Sequence, residues 1–468
     1  MRAFLVVLLL AWLVGVALGI AGLSVVVMLL AAAAFGLGAV RHCFQLAITT
    51  ALLICLGYVW GGYAGISGIG DCNFEPGATG GIIGQPRIEA ERVLVVIQSE
   101  HSCRALVTTG RFSELEEGDV LELTGGQVQS LQEVRDYSAG YAGYLERRGI
   151  SATWRYPNIN VAQPSSNWTN MLHDRVRERV TSLFIEPDAS VVLAVLLAEK
   201  GTLPDQLVEQ FRTTGVSHVL AISGLHISLL TGMLLAVLMA LPLAPRVRTV
   251  VVLAWLWSYV VFIGWPTSAT RAAAFWTIAL VALQLHVLVS LPTILLLAAT
   301  VLVSLDPLFL LDVGFQLSIS AVAGIFIVLF LTRDLPKRSW VLDLTLVSLG
   351  AWLATGPVIA YHFGNVVLSG VMTNLLVVPL VPALLVLAVV ALLLSLVFMP
   401  AAMLMTWLTH GVIGWIDWAT SLISAQPGLF YEGVNVPVWS VFVYYLVMIG
   451  LGGVVLRYQK RNWREIWQ

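Results

Sequence analysis

Residues 217–228 read Ser217-His218-Val219-Leu220-Ala221-Ile222-Ser223-Gly224-Leu225-His226-Ile227-Ser228, and an apolar run continues from there to about residue 241. Imidazoles and hydroxyls in a segment long enough to enter a bilayer are expensive, so they mark a pathway or a hydrogen-bonded seam between helices. On a helix Ser223 and His226 share a face, whereas His218 and Ser223 lie roughly 140° apart. Gly224 admits a close neighbouring backbone or lets the helix unwind. Two readings of the stretch stand: polar groups satisfied by adjacent helices, or a lining for something that crosses.

The rest of the chain has the same character. Of 468 residues, 58% are hydrophobic and 11% charged, where an ordinary soluble domain has about 45–50% and about 25%. The mean hydropathy is +0.88. This exceeds what one aqueous core buries, so most of the chain must face lipid. With 25 Lys and Arg against 27 Asp and Glu, the net charge of −2 provides no global basic field. Any nucleic-acid contact is therefore local.

Beyond Gly215 about nine membrane segments are expected, near 216–241, 249–264, 270–289, 291–305, 308–331, 340–361, 366–398, 402–423 and 437–457. The fourth is short, and Pro379 and Pro382 break the seventh into a discontinuous or re-entrant helix. Before the polar middle of the chain, three more segments run near Phe4–Ile20, Gly22–Val40 and Phe44–Ile66. Gly15/Gly19 and Gly57/Gly61 there have the spacing of close helix packing. The expected fold is thus a mainly α polytopic membrane protein with about 12 membrane segments. A cytoplasmic N-terminus places Arg41, Arg246, Arg248, Arg333, Lys337, Arg338, Arg457, Lys460, Arg461 and Arg464 inside and leaves only Arg271 at the outer side. The C-terminus is then also cytoplasmic.

From about Ser67 the composition changes to charges, glycines and β-type runs: Arg92–Ser99, Cys103–Thr109, Asp119–Thr124 and Ser151–Tyr156. In the third run Leu121 and Leu123 alternate with Val120 and Glu122, as in a half-buried strand. Gly118-Asp119 and Gly125-Gly126 bracket it as turns. With a short helix over Tyr141–Gly149, this predicts a small inserted extracytoplasmic β-domain, an OB-like barrel being one candidate. Cys72 and Cys103 both fall in it, where a disulfide persists; Cys43 and Cys55 read as small apolar residues of a membrane helix. Pro157–Asn170 reads as a linker. Leu172, Val176, Val180, Leu183 and Phe184 then form an amphipathic helix capped by Asn170, lying on the membrane or packed on the β-domain. The run Val191–Ala198 is too short to span.

Two further polar clusters interrupt the membrane segments. Pro266-Thr267-Ser268-Ala269-Thr270-Arg271 sits at an outer helix end, where Arg271 meets an anion or snorkels to the interface. Asp312, Gln316 and Ser320 repeat at i, i+4, i+8, a stripe that suits a cavity or a helix seam. Asn374 and the pair His362/Asn365 complete the set. There is no phosphate-cradling G-x-x-x-x-G-K-[ST] run and no H-E-x-x-H or C-x-x-C, so neither an ATP motor of that type nor a metal site is expected.

The block His218–Ile227 resembles the hallmark of the ComEC family of bacterial competence proteins, and three further blocks agree in order. These are Pro266-Thr267-Ser268 with Arg271-Ala272, then Gly314-Phe315-Gln316-Leu317-Ser318, then Asn374-Leu375-Leu376 with Val378-Pro379. Gly118-Asp119-Val120 and the stretch Tyr141–Gly149 are similar to the family's OB-like domain. Two departures stand out. Many members continue into a metallo-β-lactamase-like domain, whereas this sequence ends at Gln468, and where members often carry Leu-Leu-Gly it has Leu197-Ala198-Glu199-Lys200. The resemblance implies N-terminal helices over 1–66, the OB-like domain over 67–156, linker and interfacial helices over 157–214, a channel domain over 215–457 and a basic cytoplasmic tail over 458–468. It implies a channel of the bacterial inner membrane that moves single-stranded DNA inward during natural transformation, without cofactor or enzymatic activity of its own. Its partners would be DNA, lipid, a periplasmic DNA receptor, a cytoplasmic ATP-driven motor or single-strand-binding proteins, and a separate nuclease. Candidates for the DNA path are His218, Ser223, Gly224, His226, Ser268, Arg271, Asp312, Gln316, Ser318 and Asn374. For external DNA binding they are Arg92, Arg104, Arg111, Tyr137, Trp154 and Arg155. The alternative is a transporter of another envelope or lipid substrate on the same fold.

Overall fold

The computed structural model describes residues 9–14, 16–17, 53–54, 56–59, 78–83, 87–89, 92–99, 103–110, 115, 118–137, 145, 149–163, 168–199, 201–333 and 339–458. The three expected N-terminal segments, Cys72, Arg111, most of Tyr141–Gly149 and the basic tail lie largely or wholly outside these residues.

The polar stretch folds as strands β1 (Ala78–Ile82), β2 (Arg87–Glu89), β3 (Arg92–Ser99), β4 (Arg104–Gly110), β5 (Val120–Thr124), β6 (Gln127–Ser130), β7 (Ala152–Arg155) and β8 (Asn158–Gln163), with a short helix α1 (Leu131–Tyr137) after β6. Strand β1 pairs antiparallel with β3 and β5, β3 pairs with β4, β4 runs parallel to β7, and β7 pairs antiparallel with β6. Only Gly125-Gly126 separates β5 from β6, so the order β6-β7-β4-β3-β1-β5 returns to the strand on which it began. The pairing closes into a ring. The bend requires glycine: Gly126 has φ +74, and a Cβ there would lie 2.7 Å from the Arg155 carbonyl oxygen. Val93, Val95, Ile97, Val107, Leu121, Leu123 and Trp154 fill the interior. Cys103 is disulfide-bonded.

Four strands match the expected runs to within a residue or so, and four were not legible. β1 (ATGGI) reads as a glycine turn, β6 (QVQS) and β8 (NINVAQ) carry little apolar content, and β2 has three residues. β8 lies in the stretch read as linker. Mostly exposed, β8 is fixed by ladder hydrogen bonds to β5 rather than by a buried face.

The helical part begins with α2 (Trp168–Leu183), α3 (Asp188–Leu197) and α4 (Asp205–Thr213). Helix α2 already includes Asn170, which is therefore not its cap, and it turns His173 inward while Leu172 is exposed. Every residue of α3 is buried. Its run Val191–Leu197 is apolar on every face and must lie inside the protein; Val192, Leu193 and Ala194 pack among Val180, Phe211, Val219, Leu384 and Ile416.

There follow α5 (Gly224–Met239), α6 (Pro245–Phe262), α7 (Thr267–Gln284), α8 (Leu291–Leu305), α9 (Val313–Leu331), α10 (Trp340–Phe363), α11 (Gly370–Val377), α12 (Leu380–Leu394), α13 (Met399–Ser424) and α14 (Val438–Tyr458). Among the described residues, four stretches are long and apolar enough to cross a membrane: Pro245–Phe262, Val313–Leu331, Trp340–Phe363 and Gly370–Leu394. In the seventh expected segment α11 passes to α12 at Val378-Pro379 with right-handed helical backbone at both residues, and Pro382 lies inside α12, so the expected break at the two prolines is not found and Gly370–Leu394 runs as one stretch. The first and fifth segments start well after their expected beginnings. The first becomes helical only at Gly224. The fifth is divided by a 3-10 turn, Pro307–Leu311, after which Asp312 accepts the Phe315 N–H at 2.7 Å and opens α9. In both cases a cap residue outweighs apolar continuity.

Candidate functional site

Ser223 has extended backbone (φ −109, ψ 170) immediately before α5. Its Oγ lies 2.8 Å from His226 Nδ1, which also accepts the Ser223 N–H at 3.2 Å. The spacing that suggested a shared helix face is thus a reciprocal cap at a helix start. With Nδ1 accepting, the neutral ring carries its proton on Nε2. His226 is 1% exposed and its Nε2 has no hydrogen-bond partner. Ser217 and His218, in the non-helical lead-in, are exposed. Gly224 makes only ordinary contact with Ala272, so close backbone approach is not its role there.

The lead-in loop is held on two sides. Ser268, on the first turn of α7, donates to the Ile222 carbonyl. Gly215, with φ +79, packs against Val367 and Gly370 at the start of α11. One turn into α5, Ser228 Oγ accepts the Trp276 indole N–H at 3.0 Å. The starts of α7 and α9 also meet: a Cβ on Gly314 would lie 3.0 Å from Asp312 Oδ1, 3.4 Å from Thr267 Oγ1 and 3.6 Å from Arg271 NH1. Arg271 NH1 and Asp312 Oδ1 are 3.7 Å apart. Gln316 donates to the Leu310 carbonyl at 2.9 Å, and its Oε1 accepts from His362 Nε2 at 2.9 Å, joining α9 to the end of α10. Ser318 is half-buried on α9. On α11 the Asn374 Oδ1 is buried without a partner.

The candidates scattered along the sequence therefore gather around four helix starts, those of α5, α7, α9 and α11. Such ends present unpaired backbone N–H groups and a positive partial charge. They favour anions and hydrogen-bond acceptors. Among the described residues, no group of His, Cys, Asp and Glu is arranged to hold a metal ion.

The external candidates fare differently. Trp154 is fully buried and its indole donates to the Gly125 carbonyl at 2.8 Å, so no face is free to stack on a base. This corrects its assignment as a DNA-binding residue. Arg104 and Arg155 are exposed on β4 and β7, with Arg104 Nε donating to Gln98 at 3.2 Å. Arg92 opens β3 and Tyr137 ends α1; their side chains, like Arg111, lie outside the description. Among the pairs that the sequence reading missed, His410 of α13 meets Asp188, at the start of buried α3, at 2.7 Å. A lone His and an Asp 222 positions away share no local pattern.

Comparison with known proteins gives a consistent picture. ComE operon protein 3 of Bacillus subtilis (strain 168) is 26% identical over 307 residues, which cover 63% of this chain and 39% of that protein. The chain thus matches about two fifths of the relative's length. No solved structure matches it significantly. The family model described as "Competence protein" matches residues 195–458, more than half of the sequence and every one of the path candidates. The chain belongs to the competence protein family.

Proposed function

We propose that this protein acts in competence as an inner-membrane channel through which DNA enters as a single strand. The observation that carries the reading is the family match over 195–458, which contains the whole meeting point of helix starts. A polyanion crossing lipid needs a wet path lined by donors that bind each phosphate weakly enough to release it. His218, Ser223, His226, Ser268, Gln316, Ser318 and Asn374 suit such a lining, with Arg271 as a cation beside it. The nine segments beyond Gly215 each hold a helix in the description, which supports a span count near twelve once the N-terminal segments are added. The closed strand ring supports an OB-like domain, and the Lys/Arg asymmetry supports its placement outside, where Arg104 and Arg155 face an incoming strand. A receptor outside, a motor or single-strand-binding proteins inside and a separate nuclease complete the scheme.

The test is to delete the gene in a transformable host, supply labelled duplex DNA and locate the label. Label held outside the inner membrane, with entry restored by this chain, supports the channel. Unchanged cytoplasmic entry would reject it in favour of another envelope substrate.

A further inference from the structure

Arg271 sits where a cation is least welcome. It lies on the second turn of α7, its side chain is 10% exposed, and its NH1 abuts the first turn of α9 at Gly314. Each helix start carries roughly half a positive charge, so two starts and a guanidinium accumulate one sign in a poorly hydrated place. Asp312 offsets this only in part. Its Oδ1 is committed to the Phe315 N–H at 2.7 Å and stands 3.7 Å from NH1, beyond hydrogen-bond range. Arg271 Nε and NH1 are buried without a hydrogen-bond partner. Buried guanidinium donors are normally satisfied, so donors left open in a positive niche point to an acceptor that arrives from elsewhere.

We infer that Arg271, with the starts of α7 and α9, is a station for one phosphodiester group of the strand, and that Asp312 is its resting counterion. The inference rests on the reading that a DNA strand is what crosses. A guanidinium fork matches two phosphate oxygens, and Thr267 Oγ1 faces the same niche. The absence of a Cβ at Gly314 leaves the fork access to the helix start. An incoming diester displaces Asp312 rather than meeting a bare cation, which keeps binding weak and lets the strand move on.

The test uses the full chain in a maltoside detergent, a fluorescent oligothymidylate and its uncharged methylphosphonate counterpart. Arg271→Gln should weaken oligothymidylate binding about tenfold and flatten the slope of log affinity against log salt by about 0.7, the share of one phosphate contact. Arg271→Lys should fall between. Asp312→Asn keeps an oxygen to cap α9 and removes the competing charge, so it should bind the strand several-fold tighter, a gain that misfolding cannot mimic. None should alter methylphosphonate binding. Wild-type affinity and slope in Arg271→Gln would overturn the station and leave the DNA reading standing. Absence of strand binding by the unmodified chain would overturn both. Loss of co-purified phosphatidylglycerol from Arg271→Gln, with strand binding unchanged, would reassign the niche to a lipid headgroup and overturn the inference.

Discussion

Single residues carry several of the fold's commitments. Ala198 closes α3 in the left-handed region, with φ 63. A non-glycine residue there is strained, so Ala198→Gly should raise stability by about 0.5–1 kcal/mol, read as a higher melting temperature in detergent. Gly324 is the opposite case: a Cβ on it would run into the Gly350 carbonyl oxygen and Ala354 Cβ. Gly324→Ala should force α9 and α10 apart at a cost of about 1–3 kcal/mol, while Gly232→Ala, with nothing within 4 Å, should cost nothing. His173 gives a pH signature. Burial lowers its pKa below 6.5 despite the attraction of Glu199, with Arg177 also lowering it and Asp174 raising it. The unfolded chain then takes up the proton first, so this residue's contribution is intact above pH 6.5 and is lost as pH falls through the folded pKa. The melting temperature should drop less steeply on acidification in His173→Gln than in the unmodified protein. At this scale the sequence was partly legible. The contact between Ser223 and His226 follows from their spacing, but Trp154 in the core and Arg271 beside Asp312 depend on partners that no local period encodes.

At the scale of elements, hydrophobic runs located the helices well and their ends poorly. Segments 216–241 and 308–331 read as continuous because their apolar character is continuous, yet Ser223 and Asp312 start the helices later by capping them. Those late starts create the site, since they turn polar lead-in residues and N-terminal N–H groups toward one place. Helix α3 shows the same tension. Ten residues rise about 15 Å, half of a hydrocarbon core, and burial on every side explains how so apolar a helix exists without spanning. A cysteine at Ala194 should therefore resist both aqueous and membrane-permeant maleimides until the protein unfolds, whereas one at exposed Leu172 of α2 should react. Labelling at Ala194 in the folded protein would contradict the buried position of α3.

The whole molecule holds a strand ring and a helical body in which the starts of α5, α7, α9 and α11 converge. The order of motif blocks made the family readable from sequence, because the blocks are spread over a long stretch of chain; the ring closure was hidden in two glycines. The central claim is that the strand passes this convergence. It is tested most directly by placing a photoreactive residue at exposed Ser217, in the lead-in to α5, or at exposed Leu446 on α14, and illuminating cells during DNA uptake. DNA adducts are expected at position 217 and none at 446. Adducts absent at 217 in cells that still take up DNA would contradict the claim.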